Sequence, residues 1–596
     1  MDRSAASILT EVFGYKAFRP GQERIIGHLI DGANVLAVMP TGAGKSLCYQ
    51  IPALASDAIT VVISPLVALM DDQVAALRAN GVPAVSIHSG MPREDQVAAW
   101  KALRAGDSSI VYLSPERLMT ERMLEALARL GVGMFVVDEA HCISKWGANF
   151  RPEYEQLSRL KERFPEARLA AFTATADKAT RADIAGKLFA GPAEIIVQGF
   201  DRPNLRLAVE SKESWRRQLM AFLDDKRAVS GIVYCLSRKL TEEVAAFLCE
   251  EGYSAIAYHA GQDAEVRKAN QDRFMSEQAV VMVATIAFGM GIDKPDIRYV
   301  CHLNLPGSME AYYQEIGRAG RDGLPAETLM LYGLDDIRMR RTFIDQDGED
   351  ADHKRREHKR LDALLAYCEA AECRRKALLA YFDETIEPCG NCDTCLAPPT
   401  RIEGTEQAQM VLSAIYRTGQ VFGVAHVIDV LRGSENAKIL ERGHDDLPTY
   451  GVGKDRSKRF WQVLVRQMVA AGLVTIDIQN YGGLRITESG RDLLRGEGTF
   501  AYREVPEQKA TRKRRSAPVP ESTMPVDEDL LHKLKALRLD IARSRNVPAY
   551  VVFSDATLTD MAARRPSDLD SFADVSGVGP KKLKDFGDQF LSVINA

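Results

Sequence analysis

Short apolar runs separated by helix-length stretches set the strongest constraint on how this chain folds. Between Val35 and about residue 200 the runs are Val35 to Met39, Ile59 to Ile63, Ile110 to Leu113, Met134 to Val137 and Leu169 to Phe172. Strands that are apolar throughout, rather than alternating, belong in a sheet covered on both faces, and helices between them make that sheet parallel and doubly wound. The pattern restarts after Asp201-Arg202-Pro203-Asn204 with Ile232 to Cys235, Val280 to Val283 and Tyr299 to Leu303. Two tandem α/β lobes are therefore expected, with the cleft between them as the default ligand site.

At 596 residues the chain exceeds what one core can serve. Divisions are expected at residues 1–204 and 205–340 for the lobes, then 341–405, 406–500, 501–525 and 526–596. The segment 406–500 reads as helices followed by a hairpin, with Leu473 to Ile478 and Leu484 to Thr487 flanking Asn480-Tyr481-Gly482-Gly483. Lys509, Arg512, Lys513, Arg514 and Arg515, set among prolines, suit a flexible basic linker. Leu530, Leu534, Leu537 and Ile541 then open a small all-helical module. Such a module on such a linker reads as a tethered second contact rather than a part of the motor. No apolar run approaches the roughly 18 residues of a membrane span, and the N-terminus lacks a basic-then-apolar signal segment. A cytoplasmic protein without a membrane partner is expected. A net charge of −5 argues against nucleic acid only if charge is spread evenly, so it must be read by segment.

The first strand runs into Thr41-Gly42-Ala43-Gly44-Lys45-Ser46, a glycine-rich turn opening a helix. Its backbone N–H groups can cradle phosphates, Lys45 can reach the β and γ oxygens, and the Ser46 hydroxyl can ligate Mg²⁺. Met39 stands where the full pattern has its first glycine. Asp138 and Glu139 follow another strand end, Asp138 as a second Mg²⁺ ligand and Glu139 to polarise the attacking water. In Gln314-Glu315-Ile316-Gly317-Arg318-Ala319-Gly320-Arg321 the arginines lie three apart, as on one helical face, and guanidinium groups suit transition-state phosphate charge.

Cys373, Cys389, Cys392 and Cys395 offer four thiolates. An iron–sulfur cluster competes with a closed, structural Zn²⁺ site, but Pro399 occupies the position of the fourth ferredoxin cysteine, which favours zinc. Lys145, Trp146, Phe150 and Arg151 combine the stacking faces and cations that single strands need, although a Trp and a Phe also suit a core. Lys454, Arg456, Lys458, Arg459 and Arg466 suggest duplex backbone contact. Tyr481 at the hairpin tip suits either a strand-separating wedge or a plain turn. Gly577-Val578-Gly579-Pro580-Lys581-Lys582 can bring N–H groups to a phosphate or simply connect helices.

In the order and spacing of these blocks, and of Phe18-Arg19-Pro20-Gly21-Gln22, SPLVALMDDQV, YLSPERL, DEAHCISKWGANFRPEY, FTATA, VATIAFGMGIDKPDIRYVCHLNLP and YYQEIGRAGRDG, the chain resembles bacterial RecQ DNA helicases of superfamily 2 over essentially its full length. The resemblance implies two RecA-like lobes, a zinc-binding helical unit, a winged helix and an HRDC module. It implies ATP, Mg²⁺ and Zn²⁺ as cofactors, and 3′ to 5′ unwinding of forked or branched DNA by a monomer in recombination, repair and the SOS response. A single-strand-binding protein and a topoisomerase are the implied protein partners. It assigns adenine recognition to Tyr15, Arg19 and Gln22, catalysis to Lys45, Asp138, Glu139, Gln314, Arg318 and Arg321, with Arg321 the arginine finger, and DNA contact to Trp146, Phe150, Arg151, Lys454, Tyr481 and Tyr550. An RNA-dependent ATPase and a DNA-binding scaffold with a vestigial ATPase are the rival readings.

Overall fold

A computed structural model of the chain describes residues 4–144, 151–176, 178–286, 288–289, 294–346, 351–477, 483–504, 527–545, 547 and 549–596. The apolar runs become β1 (Asn34–Val38), β2 (Ile59–Ile63), β4 (Ile110–Leu113), β5 (Val132–Val137) and β6 (Arg168–Thr173), joined by β3 (Ala84–Ile87) and β7 (Ala193–Val197). The order is β3-β4-β2-β5-β6-β1-β7, and every pairing is parallel. Phosphate loop and carboxylates leave the carboxyl ends of β1 and β5, on either side of β6, so strand order alone puts them within reach of one ligand.

The second sheet contains β8 (Leu205–Ser211), β9 (Gly231–Tyr234), β10 (Ser254–Tyr258), β11 (Val280–Ala284), β12 (Tyr299–His302) and β13 (Ala326–Tyr332), in the order β10-β11-β9-β12-β13-β8, again parallel throughout. Beyond it, β14 (Arg401–Glu403) pairs with β17 (Ala501–Arg503) and brackets the helices of the winged helix. Its hairpin is β15 (Val474–Asp477) against β16 (Gly483–Ile486), with antiparallel register Val474 to Ile486. The C-terminal module is all helical, packed around Phe553, Phe572, Phe586 and Phe590.

The winged helix is fastened by a buried ionic knot rather than by apolar surface alone. Glu369 ends the helix Ala351–Glu369 and meets Arg466 of the winged helix at 2.5 Å, Arg503 of β17 at 3.7 Å, and the hydroxyl of Tyr332 from β13. Burial alone would raise the Glu369 carboxyl, but Arg466 and Arg503 outweigh it and hold the group below the ordinary range. The basic stretch that ends at Arg466 is thus divided. Arg466 is consumed in this knot and Arg459 pairs with Glu213 of the second lobe at 2.5 Å; Lys454, Arg456 and Lys458 are exposed, with Arg456 3.7 Å from Asp455 and Lys458 3.6 Å from Asp429.

Glu369→Ala leaves two buried guanidinium groups without their carboxylate and should cost about 3 to 5 kcal/mol in chemical denaturation. Because the folded pKa of Glu369 is depressed, its stabilisation is complete above the unfolded carboxylate range, about pH 4.3, and fades as pH falls below it. The variant should therefore lose the part of the acid-denaturation slope that this group supplies.

Candidate nucleotide cleft and zinc centre

β1 enters a loop in which Gly42 and Gly44 have φ of +83° and +79°, and the helix Lys45–Leu54 starts directly behind it. Side chains are excluded there on two counts. The left-handed backbone disfavours them, and a Cβ on Gly44 would lie 2.5 Å from Gln22 Nε2. The loop therefore presents bare backbone N–H groups at a helix N-terminus, the donor set a polyphosphate requires.

Above it lies a cavity of about 540 Å³ between the lobes, whose wall includes Tyr15, Arg19, Thr41, Gly42, Gly44, Lys45, Ser46, Asp138, Glu139, Gln314, Arg318 and Arg321. Lys45 Nζ is 3.3 Å from the carbonyl of Met39. Gln22 is engaged with the loop itself. Its Oε1 accepts from Arg19 N at 2.9 Å, while Nε2 donates to the carbonyls of Ala43 and Gly44 at 3.0 and 3.1 Å. The Arg19 guanidinium donates to the carbonyl of Gly42.

At the end of β5 the Glu139 N–H donates to its neighbour's Asp138 Oδ1 at 3.0 Å, and Glu139 has φ of +50°, a left-handed conformation that a non-glycine residue adopts only under constraint. Glu139 Oε2 is buried without a hydrogen bond and lies 3.4 Å from His141 Nδ1. Burial pushes the His141 imidazole down more than the Glu139 carboxylate raises it, so it is neutral at pH 7. His141 Nδ1 is 2.9 Å from Thr173 Oγ1, whose hydroxyl in turn reaches the carbonyl of Thr175, and Gln314 Nε2 donates to Thr175 Oγ1 at 2.8 Å. One chain of polar contacts thus runs from Glu139 across the cleft to the second lobe. His141, Thr173 and Thr175 stand in the DEAH and FTATA blocks, yet spacing alone does not single them out.

The two arginines differ from the sequence expectation. The helix Met309–Ile316 ends before them, with Gly317 as its cap and Gly320 at φ +58°, so Arg318 and Arg321 do not share a helical face. Both line the cavity: Arg318 is largely buried and donates to the carbonyl of Gly289 of its own lobe, while Arg321 stands beside the phosphate loop, its Cα 3.4 Å from where a Cβ on Gly42 would lie.

Tyr550, read as a DNA contact, lines the nucleotide cavity together with Ser554, Thr557 and Ser576 of the C-terminal module. That module sits on the first lobe. Gly577 N donates to Gly14 O at 3.0 Å, Lys16 pairs with Asp574 at 2.9 Å, and a Cβ on Gly14 would meet Gly579 N at 2.5 Å. The Gly577 to Gly579 loop is used in this packing rather than offered to a DNA phosphate, and the module is docked on the motor rather than only tethered to it. Arg151 donates to the carbonyl of Pro65 at 3.3 Å, and Lys454 stands exposed before the helix Lys458–Ala470. Trp146, Phe150 and Tyr481 lie outside the described residues.

The sulfur atoms of Cys373, Cys389, Cys392 and Cys395 all lie within 4.8 Å of one another. Backbone N–H groups of Arg374, Lys376, Cys389 and Asn391 aim at them from 3.3 to 3.5 Å. Burial opposes ionisation of Cys392, but the Thr394 hydroxyl and the N–H groups of Cys395 and Arg374 bring its thiol down to about 7. Four sulfurs in reach of one point, with donors arranged for thiolate, fit a closed tetrahedral Zn²⁺ site. Cys368 is buried and stands outside the group.

Family models match in the same order along the chain: DEAD/DEAH box helicase over residues 19–184, helicase conserved C-terminal domain over 214–323, RecQ zinc-binding over 334–396, RQC domain over 398–511 and HRDC domain over 527–594. The ATP-dependent DNA helicase RecQ of Haemophilus influenzae is 44% identical, covering 99% of this chain and 96% of its own. Those of Pasteurella multocida and Bacillus subtilis are 42% and 37% identical, with 100% and 99% of this chain and 94% and 98% of theirs covered.

Elemental analysis should give one zinc per chain, and Cys392→Ala should yield protease-sensitive, poorly folded protein rather than a sound fold with low turnover, because thiolate ligation is coupled to folding. Removing residues 527–596 strips Tyr550, Ser554, Thr557 and Ser576 from the cavity wall. Steady-state ATPase of that truncation should show KM for ATP raised several-fold with kcat largely retained.

Proposed function

The chain belongs to the RecQ family of ATP-dependent DNA helicases, and from that premise we propose that it moves 3′ to 5′ on single-stranded DNA and opens duplex, forked or branched DNA in recombination and repair. The observation that carries this is the shared cleft: phosphate loop and carboxylates from one lobe face arginines from the other across a single cavity. Such a cavity changes shape when the lobes move, which is how hydrolysis becomes motion.

In this reading ATP supplies the phosphoanhydride whose hydrolysis drives the cycle, with Mg²⁺ neutralising its phosphates. Ser46 and Asp138 hold Mg²⁺, Lys45 orients the terminal phosphates, and Glu139 accepts hydrogen-bonding from the attacking water. Tyr15 flanks the base. Arg321 carries charge to the transition state, and Arg318 supports it. Gln314 reports the state of the second lobe to Thr175. The exposed Lys454, Arg456 and Lys458 track duplex phosphate, and the Trp146, Phe150 and Arg151 loop meets the single strand. Division of the chain near residues 204, 340, 405, 500 and 526 separates these tasks. A single-strand-binding protein and a topoisomerase are the partners this work requires.

The test is strand displacement on duplexes with a 3′ or a 5′ single-stranded tail. ATP-dependent unwinding of the 3′-tailed substrate, with ATPase stimulated by DNA over RNA of the same sequence, supports the reading; preference for the 5′ tail or for RNA overturns it. Lys45→Ala should abolish turnover and unwinding at least 100-fold while DNA affinity stays within about twofold, since Lys45 faces only the nucleotide cavity.

A further inference from the structure

Between the lobes, the segment Phe200 to Leu205 carries an arginine with no place in the phosphate, DNA or zinc motifs. Arg202 Nη1 donates to the carbonyl of Thr41 at 2.6 Å and approaches that of Gly317 at 3.4 Å. Its Nη2 donates to Ala319 and Gly320 carbonyls at 3.0 and 2.8 Å. One planar cation therefore spans the phosphate loop of the first lobe and the turn of the second lobe that carries Arg318 and Arg321. Its Nε lies 3.4 Å from Asn204 Oδ1, and among the described residues it forms no ion pair. Asn204 holds the same turn from behind, Nδ2 donating to Gly320 and Leu324 carbonyls at 2.9 Å each.

Two glycines show how tightly this cluster is closed. A Cβ on Gly42 would lie 3.3 Å from Arg202 Nη1 and 3.4 Å from the Arg321 Cα, and a Cβ on Gly317 would lie 2.1 Å from Thr41 Oγ1. Thr41 Oγ1 itself donates to Gly317 O at 3.1 Å. Neither lobe can move away from the other without breaking one half of the Arg202 set. A residue serving the fold of one lobe would have its partners in that lobe.

We propose that Arg202 is a positioning residue for ATP hydrolysis, a latch that is complete only when the lobes are closed and that then holds the Arg321 turn against the phosphate loop. A guanidinium suits this task because its fixed fork reaches several carbonyls at once, whereas a lysine ammonium is a point donor. Burial, with the nearby Arg321 and Arg19 cations adding to it, brings Arg202 down to about 10, which leaves it charged at pH 7. Closure thus costs the desolvation of a cation and is completed only when all four carbonyls are in place. That makes the latch sensitive to small displacements of the turn, as geometry-dependent catalysis requires.

The proposal rests on Arg321 as the residue that reaches the transferred phosphate, and Arg321→Ala serves as the reference. In full-length protein, Arg202→Ala should keep its melting temperature within about 2 °C and its affinity for a fluorescent ATP analogue within about threefold, yet lose at least tenfold in DNA-stimulated kcat. Donor and acceptor dyes on the two lobes should show a smaller closed fraction on adding a non-hydrolysable ATP analogue. Arg202→Lys should recover little of either. Gly317→Ala, which pushes on the same contact from the other side, should reproduce the pattern, and the double variant should be no worse than the poorer single one. Unchanged kcat and closure, recovery by lysine, additive losses, or loss of kcat only in step with melting temperature would each overturn the latch. If Arg321→Ala retains full kcat, the reading of the site itself fails; if Arg321→Ala is inactive and Arg202→Ala is normal, only the latch does. Should Arg202→Ala not fold, Arg202→Lys and Gly317→Ala decide by the same readouts.

Discussion

The connector from Phe200 to Leu205 is the constraint on which the cleft depends, because it is gripped from both ends by a unit none of whose described residues lines the nucleotide cavity. Phe200 N donates to Glu384 at 2.6 Å, its ring stacks on Phe382 at 4.6 Å, and its carbonyl accepts from the Tyr313 hydroxyl at 2.8 Å. Arg375 holds the carbonyls of Pro203 and Leu205 and pairs with Asp201 at 3.4 Å. Glu384, Phe382 and Arg375 all belong to the zinc-binding unit, and Arg374 beside them donates to Asp393, which also accepts from the N–H of Val209 in β8 and from that of Thr394. The four cysteines therefore do more than fold their own small unit. They fix the base from which Arg202 reaches the phosphate loop, a role in keeping with a closed metal site that has no open position for chemistry.

From that base the molecule is built outward through buried ions set within a continuous apolar core that runs through both lobes, the zinc-binding unit and the winged helix. Arg374 is wholly buried against Asp393 and the carbonyls of Tyr367 and Cys368, and Glu369 collects Arg466, Arg503 and Tyr332. Such clusters cost desolvation and return it only in one geometry, so they fix register and orientation more than they add stability. A motor that must hold a duplex at a set angle to its cleft gains from that trade.

Much of this was legible in the sequence, and where it was not the reasons are physical. Central strands such as Val35 to Val38 and Val280 to Ala284 are apolar at every position, because both faces of the sheet are covered. Four of the strands missed are sheet edges: β7 buries one residue of five, β8 alternates, and β3 and β10 mix small with large residues; β13, paired on both sides and largely buried, was missed as well. The phosphate loop, both carboxylates and the cysteines announce themselves by spacing, since their chemistry is local. Arg202, Arg459 and Arg466 do not, because a cation reads alike in sequence whether it meets DNA, a carboxylate from another unit or four carbonyls. The place of Tyr550 in the cavity wall is hidden for a related reason. Its surroundings come from a lobe more than 400 residues away, and no periodicity encodes that.

How the C-terminal module sits on the cleft follows from the strength of its contacts. The Lys16 to Asp574 pair is more than half exposed at both ends and contributes at most about 1 kcal/mol. The Gly577 to Gly14 hydrogen bond adds a similar net amount. The module has its own aromatic core and does not need the motor to fold. Apolar packing adds to these polar contacts, since Tyr550 lies against the core that runs through the lobes, and residues 505–526 join the module covalently to the winged helix. Covalent attachment keeps the module's local concentration high whenever these contacts open. A wall of the nucleotide cavity that is covalently attached yet only lightly held can leave without unfolding anything. Its departure would take Tyr550, Ser554, Thr557 and Ser576 out of the cavity wall together.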